Sequence, residues 1–156
     1  MKKLVLLAIL FSLSATTYTC AQKKQTQNKK FQTTYNNSKA IVETQRYNFV
    51  GEIVYSNKNR EKLSEDSSII AINKSEILGK VISLSTDNKS FDVNGIIENY
   101  KASFDDDKQQ IAIQFKVKTT TQTLDVFIDI KPNGNAFLTV SSGNYNTISW
   151  TGKIKS

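Results

Sequence analysis

Histidine is absent from this 156-residue chain, and cysteine and proline occur once each. Without histidine, and with Cys20 as the sole thiol, the chain lacks the groups that activate a nucleophile in Ser-His-Asp or Cys-His catalysis. Zinc and copper sites are disfavoured for the same reason, because their usual nitrogen and sulfur ligands are missing. The 6 glycines are scattered, so no glycine-rich phosphate loop follows a strand. We therefore expect no metal, no cofactor and no enzymatic activity.

Carboxylates are the catalytic groups that remain. Asp125 and Asp129 lie on one face of a predicted strand, and four residues at about 3.4 Å each separate their backbones by roughly 13 Å. Paired glycosidase carboxylates are closer, within about 5 to 9.5 Å. The segment Asp105-Asp106-Asp107 offers oxygen ligands for calcium but lacks the spacing of a calcium loop with a distal glutamate. We expect a solvated turn there.

The first 21 residues predict export. Lys2 and Lys3 precede an apolar run over residues 4–11, and small residues follow up to Gln22, which is the pattern of a signal peptide. The apolar run is shorter than the roughly 20 residues that cross a bilayer. We expect secretory cleavage before Gln22 and a protein that is periplasmic or associated with the outer membrane.

Cys20 supports an alternative cleavage. In a lipoprotein, Cys20 would become the acylated first residue and would tether the chain to a membrane. A lipoprotein signal has a Leu-like residue three places before the cysteine, whereas Thr17-Tyr18-Thr19 precedes Cys20 here. Membrane association is therefore expected only if Cys20 is acylated.

The net charge of +7 is unevenly distributed. Residues 22–42 contain lysines but no acidic residue, and they are rich in Gln, Asn and Thr, so we predict a flexible basic leader. All 14 acidic residues lie from Glu43 onward, where basic residues equal them in number. We predict a single neutral domain over residues 43–156. A nucleic-acid partner is not expected, since such proteins present a basic patch on a folded face.

Alternation of apolar and polar residues is clearest in the C-terminal half, over residues 111–118 and 124–131. The link 119–123 is short enough for a hairpin. The segment Pro132-Asn133-Gly134-Asn135 predicts a turn, because proline presets a negative φ and Asn-Gly tolerates a positive φ. The strands of this antiparallel meander are 111–118, 124–131, 136–141 and a last one containing Ile148, Trp150 and Ile154.

Upstream, Tyr47, Phe49, Ile53 and Tyr55 alternate with polar residues around Gly51, which predicts a first strand with these four on one face. The remaining predicted elements are strands over 68–73, 77–84 and 96–104, a hairpin turn at Asn94-Gly95 and a helix over 38–45. The fold class is therefore mainly β: an antiparallel meander of about eight or nine strands, barrel-like or a sandwich, with a short N-terminal helix.

Four segments occur in a characteristic order and spacing: Tyr47-Asn48-Phe49, Ile96-Ile97-Glu98-Asn99-Tyr100, Pro132-Asn133-Gly134-Asn135-Ala136 and Ile148-Ser149-Trp150-Thr151-Gly152. Over approximately residues 40–155 the chain thus resembles domain-of-unknown-function family 4251, exported single-domain proteins of Bacteroidota. It departs from the family pattern at residues 75–79 and 144–146. The resemblance implies an exported β-rich domain and supplies no reaction.

These observations predict a non-catalytic binding or interaction module of the cell envelope, with a small apolar ligand or an envelope protein as its partner. The alternative is a carboxylate-dependent hydrolase in the envelope. Trp150, Tyr145, Tyr100 and Phe104 either pack in the core, which a chain of this size favours, or line a barrel mouth. In the second case Trp150, Tyr145 and Tyr100 are candidate ligand-binding residues. Phe127 faces away from the apolar row of its strand and lies between two aspartates. It is either covered by another element or an apolar anchor of a binding surface.

Overall fold

The computed structural model describes residues 29–56, 59–64, 68–143 and 146–156. One helix, α1, covers residues 29–43. The strands are β1 Arg46–Ser56, β2 Asn59–Lys62, β3 Ile69–Asn73, β4 Glu76–Leu78, β5 Lys80–Ile82, β6 Ser90–Asp92, β7 Gly95–Asp105, β8 Gln110–Lys118, β9 Thr123–Ile130, β10 Asn135–Ser142 and β11 Asn146–Lys155.

Eight strands close into an antiparallel barrel. Their order is β11-β10-β9-β8-β7-β4-β3-β1, and the pairing of β1 with β11 closes the ring. The short strand β2 extends the sheet beside the second half of β1. Five consecutive strands, β7 to β11, form a meander, and the last four of them are the predicted C-terminal meander. The mainly β prediction is confirmed, and the architecture is a closed barrel rather than a sandwich.

Side chains fill the barrel interior, as expected for a barrel of about eight strands. Each barrel strand contributes residues that alternate inward along the pleat. Phe49, Ile113, Ile128 and Trp150 are fully buried. This packed interior defines one hydrophobic core for the domain.

Helix α1 covers one end of the barrel. Its residues Tyr35, Ser38 and Val42 recur at helical spacing and are buried. The prediction of a flexible basic leader over residues 22–42 is therefore wrong for residues 29–42. These residues form a helix, and its buried side chains pack against the barrel. The predicted helix over 38–45 began too late. Within the described residues, no helix is both long and apolar enough to cross a bilayer.

The β5–β6 hairpin covers the other end of the barrel. In the chain it follows β4 and precedes β7, and it forms a separate two-stranded sheet. This segment buries Val81, Leu84, Phe91 and Val93. The predicted continuous strand over 77–84 is interrupted at Gly79, whose φ is +140°. This conformation favours glycine.

The hairpin predicted at Asn94-Gly95 is wrong. Strand β6 pairs with β5, while β7 pairs with β4 and β8. The Asn94 side-chain oxygen accepts a hydrogen bond of 2.7 Å from the Gly79 N–H. Asn94 therefore ties together the two points at which the chain leaves and rejoins the barrel.

A bulge in β1 changes the predicted face of two residues. The register of β1 with β11 shifts between Gly51 and Ile53. Tyr47 and Phe49 point into the core, but after the bulge Val54 is the buried residue. The prediction that Ile53 and Tyr55 share the inner face is therefore wrong. A Cβ at Gly51 would lie 2.6 Å from Cε3 of Trp150, so the tryptophan ring occupies the space that a side chain would need.

Candidate functional site

The outer surface of strands β7–β10 carries an exposed aromatic ring. Phe127 points outward from β9 and is 43% exposed. Its cross-strand neighbours are Gln114 on β8 and Thr139 on β10, and Lys101 on β7 lies opposite Gln114. These four residues form one row across the sheet. We call the outward surface of β7–β10 around this row the Phe127 face.

Two shallow grooves flank Phe127. The first has a volume of about 330 Å³, and its polar lining includes Asn99, Lys101, Gln114 and Thr139. The second has a volume of about 280 Å³ and is lined in part by small side chains such as Ser103 and Ala112. Phe127 lines both grooves. The ring is therefore a ridge between two depressions on the outside of the barrel.

A bulge in β7 shapes the first groove. The register with β8 shifts between Glu98 and Lys101, and Asn99 has a φ of +57°. Asparagine is one of the few residue types that adopt this conformation readily. The extra residue changes which side chains point outward, as bulges do. Asn99 and Lys101 consequently both border the groove.

Two acidic groups on the Phe127 face, Asp125 and Asp129, form ion pairs. Lys116 Nζ contacts Asp125 Oδ1 at 2.6 Å, and Lys131 Nζ contacts Asp129 Oδ2 at 2.6 Å. Lys101 forms no ion pair with any residue that the structure describes. The face therefore has little excess charge of either sign.

Cations cover two neighbouring aromatic rings. Lys131 Nζ lies 5.9 Å from the centre of the Phe137 ring, and Lys39 Nζ lies 5.2 Å from that of Phe104. Both distances are typical of cation–π contacts. Across the described ranges, no cation lies over Phe127. This ring presents its surface to solvent.

The family model for a domain of unknown function, DUF4251, matches residues 29–154. The chain belongs to the DUF4251 family. The match confirms the resemblance found in the sequence, and it starts at the first described residue of α1, so the DUF4251 domain includes the helix that covers the barrel. No curated protein sequence matches the chain.

A solved structure has the same fold. It is the crystal structure of a DUF4251 family protein from Bacteroides eggerthii DSM 20697, with 16% sequence identity and a TM-score of 0.66. The similarity covers 77% of this chain and 85% of that one. At this level of identity it shows the fold of the DUF4251 domain alone.

The four candidate ligand-binding residues do not form one site in this DUF4251 domain. Trp150 is fully buried, and its indole N–H donates a 2.8 Å hydrogen bond to the Ile82 carbonyl of the β5–β6 hairpin. Trp150 is therefore a core residue that also holds the hairpin. Tyr145 and the candidate lipidation residue Cys20 lie outside the described residues.

Tyr100 points inward and is partly buried. Its ring stacks on Phe115 with centroids 5.7 Å apart, and its hydroxyl lies 3.1 Å from that of Tyr47. Burial raises the pKa of the Tyr47 hydroxyl, and burial also raises that of Tyr100. Burial thus favours the neutral form of both hydroxyl groups, and the two rings belong to the core. Phe127 is therefore the candidate that the described structure places on an open surface.

The carboxylates of the Asp105–Asp107 turn bind protein donors. Hydrogen bonds from the Lys108 side chain and backbone lower the pKa of Asp105. Hydrogen bonds from Tyr35 and Lys39 lower the pKa of Asp106. A general acid needs the opposite shift. Within the described residues, no group of three or more acidic side chains lies close enough to hold a metal ion.

A second exposed apolar patch lies where β3, β4 and the start of β7 adjoin. Ile69 on β3, Leu78 on β4 and Ile96 on β7 are 47%, 59% and 50% exposed. Leu78 lies opposite Ala71 of β3, and Ile96 lies opposite Glu76 of β4. This patch contains no aromatic ring. It serves as the internal comparison for the Phe127 face.

Sequence reasoning missed the polar residues around Phe127. Asn99, Lys101 and Gln114 are unremarkable in sequence, and they converge only through the β7 bulge and the register of β8 with β9. Strand alternation could have identified Lys101 and Gln114, since each is adjacent in sequence to an inward-facing residue and therefore points outward. The bulge at Asn99 leaves no comparable pattern.

Proposed function

We propose that this protein is a non-catalytic binding module of the cell envelope and that it engages its partner through the Phe127 face. The observation that carries the proposal is the ring of Phe127, 43% exposed between two grooves. Aromatic side chains contribute large contact areas and are enriched at interaction surfaces. The interior of the barrel offers a poorer site, because a ligand there would have to displace packed side chains.

The proposed location rests on the N-terminal sequence. A positively charged start, an apolar run and small residues before Gln22 are the features of an export signal. The location would be periplasmic or at the outer membrane, with a lipid anchor if Cys20 is acylated. The neutral charge of the region from Glu43 onward supports a partner other than nucleic acid.

The non-catalytic role is supported by the state of the available acids. The chain has no histidine, and Asp125 and Asp129 are each paired with a lysine at 2.6 Å. Each lysine occupies an acceptor position on its carboxylate, which suits a structural contact on the sheet surface better than attack on a substrate. Single changes of Asp125, Asp129 and Glu98 to the amides should leave the fold and binding nearly intact. Loss of a measured hydrolytic activity in one of them would favour the alternative hydrolase.

Photo-crosslinking in cells of the natural host tests the proposed surface. A benzophenone amino acid replaces Phe127 in one variant and Ile69 in a matched control. Ile69 lies on β3, four strands away around the barrel from β9, and its 47% exposure is close to that of Phe127. We expect a reproducible cross-linked species at position 127 and none at 69. Equal products at both positions, or none at 127, would refute the Phe127 face as the contact surface.

Mass spectrometry of the mature N-terminus tests the proposed location. A chain that begins at Gln22 would establish secretory cleavage, and an acylated Cys20 would establish a lipoprotein. A chain that keeps Met1 would contradict export.

A further inference from the structure

We propose that the Phe127 face binds a neutral oligosaccharide, with the sugar chain crossing the ring of Phe127 from one groove to the other. This inference rests on the proposed function, because it names the ligand class of the same surface.

The ring supplies a flat apolar platform. The face of an aromatic ring carries partial negative charge and attracts groups with partial positive charge. The C–H groups on one side of a sugar ring are such groups. Lys131 covers Phe137, the aromatic ring on the adjacent strand β10, whereas Phe127 is uncovered within the described residues. Phe127 is thus available for stacking in a way that Phe137 is not.

Polar side chains around the ring both donate and accept hydrogen bonds. Asn99 and Gln114 carry amides, and Thr139 and Ser141 carry hydroxyls, all lining the first groove with Phe127. Amides and hydroxyls are donors and acceptors at once. A sugar presents hydroxyl groups with the same dual character along its edge. The combination of a bare ring with amide and hydroxyl groups beside it therefore matches the two surfaces of a sugar.

The charge of the face favours a neutral ligand. Asp125 is neutralised by Lys116 and Asp129 by Lys131, each at 2.6 Å. A site for phosphate or another anion concentrates positive charge, and a cation site concentrates carboxylates. Of the two lysines that line the first groove, Lys116 is paired with Asp125 and Lys101 is in no ion pair with a described residue. One cation among amides and hydroxyls can donate to a sugar hydroxyl without selecting a charged ligand.

The shape and composition disfavour two other ligand classes. The centre of a protein–protein interface is depleted of charged residues, but Phe127 lies between Asp125 and Asp129 on its own strand. A small apolar molecule binds in a site that encloses most of its surface. The two grooves, of about 330 and 280 Å³, are open depressions on a sheet. Open sheet faces are used for oligosaccharides in other small barrels.

Titration by two-dimensional NMR of the amide signals tests the inference, with cellohexaose, chitohexaose and maltohexaose as separate probes at millimolar concentration. We expect at least one of them to shift the signals of Gln114, Phe127 and Thr139 and to leave those of Ile69 and Leu78 unchanged. Absence of shifts with all three sugars, or shifts confined to the Ile69–Leu78 region, would overturn the inference.

Three variants identify the role of the ring. Phe127→Ala should weaken sugar binding by about tenfold or more, because the variant loses both the stacked ring and its apolar area. Phe127→Leu should weaken it severalfold, since leucine keeps apolar surface but has no ring to stack. Phe137→Ala is the matched control and should bind nearly as wild type. Full binding by Phe127→Leu would show that the contact is merely apolar and would overturn the sugar-stacking model.

Failure of this inference is separable from failure of the proposed function. If the sugars produce no shifts but position 127 still cross-links selectively in cells, the face binds a partner of another class. If both experiments fail, the Phe127 face is not a binding surface.

Discussion

At the helix end of the barrel, the covering element is held partly by hydrogen bonds to charged and amide groups, whereas at the hairpin end it is held mainly by apolar burial. Tyr35 donates a 2.6 Å hydrogen bond to Asp106, and Lys39 contacts the same oxygen at 2.9 Å. Gln109 donates to Gln32 at 2.8 Å. These contacts join α1 to the β7–β8 turn.

The hairpin end has fewer charged contacts and more apolar ones. Val81, Leu84 and Val93 are almost completely buried, and the hydrogen bond from Trp150 to the Ile82 carbonyl joins hairpin and barrel. Glu61 also accepts hydrogen bonds from the backbone and hydroxyl of Ser85. The barrel therefore relies more on ionisable groups at the helix end and more on apolar burial at the hairpin end. The two ends should therefore respond differently to pH and to loss of side-chain volume.

The largest effect is expected at Trp150. Trp150→Ala removes a fully buried ring and its hydrogen bond to the hairpin, so it should lower the free energy of unfolding by about 3–5 kcal/mol. Urea denaturation followed by circular dichroism measures this change. A loss below about 1 kcal/mol would contradict the assigned role of Trp150 in the core.

Leu84→Ala isolates the hairpin end. Leu84 is 2% exposed, and its truncation should destabilise the domain by about 2–3 kcal/mol through lost burial and a residual cavity. Trp150 is the single tryptophan of the chain, so its fluorescence reports this end directly. We expect Leu84→Ala to lower the midpoint of urea denaturation, followed by this fluorescence, by the same amount at neutral and acidic pH. A strong pH dependence would remove the contrast between the two ends.

Tyr35→Phe isolates the helix end and should have a smaller effect at neutral pH than Leu84→Ala. The variant removes the hydroxyl that bonds to Asp106 and keeps the ring. Hydrogen bonds from Tyr35 and Lys39 lower the pKa of Asp106 in the folded state. The contribution of this group is therefore present above the ordinary carboxyl pKa and is lost as the pH falls through the lowered folded value.

Thermal denaturation of wild type and Tyr35→Phe at neutral pH and near pH 3 checks this sign. We expect the difference in melting temperature between them to shrink at acidic pH, because protonated Asp106 no longer favours the bond. A difference that stays constant would show that Tyr35 acts through packing alone. Asp106→Asn provides the matched variant and should lose the acid-dependent component.

The smallest effect is expected on the wall between the two ends. Phe127→Ala should change the free energy of unfolding by about 0.5 kcal/mol or less, because surface substitutions outside special features have effects of that size. Chemical denaturation measures it against Phe137→Ala. A much larger loss in the free energy of unfolding would indicate that the ring of Phe127 stabilises the fold, despite its exposure.

Much of the fold could be predicted where one face of a strand is buried and the other is exposed to solvent. Strands β8 and β9 alternate without interruption, so their inward and outward residues were assigned correctly from the sequence. The same alternation placed Phe127 on the outer face. It could not show whether another element covers the ring, since that depends on where α1 packs.

The errors occur where the pleat is interrupted. In β1 the bulge after Gly51 moves Ile53 and Tyr55 to the outer face. In the region after β4, Gly79 turns the chain out of the barrel, and the hairpin signal at Asn94-Gly95 marks a corner instead. A bulge or corner adds or redirects one residue and leaves the composition of the segment unchanged. Its position is set by contacts between strands that are distant in the chain.

The sequence by itself determined the β class, the C-terminal meander and the lack of histidine chemistry, because side-chain type and its alternation are local properties. Only the tertiary structure decided three other features. They are the closure of β1 onto β11, the positions of the two covering elements, and the grouping of Asn99, Lys101 and Gln114 beside Phe127. These features depend on strand register. Register is the outcome of packing the whole core at once, so no single segment specifies it.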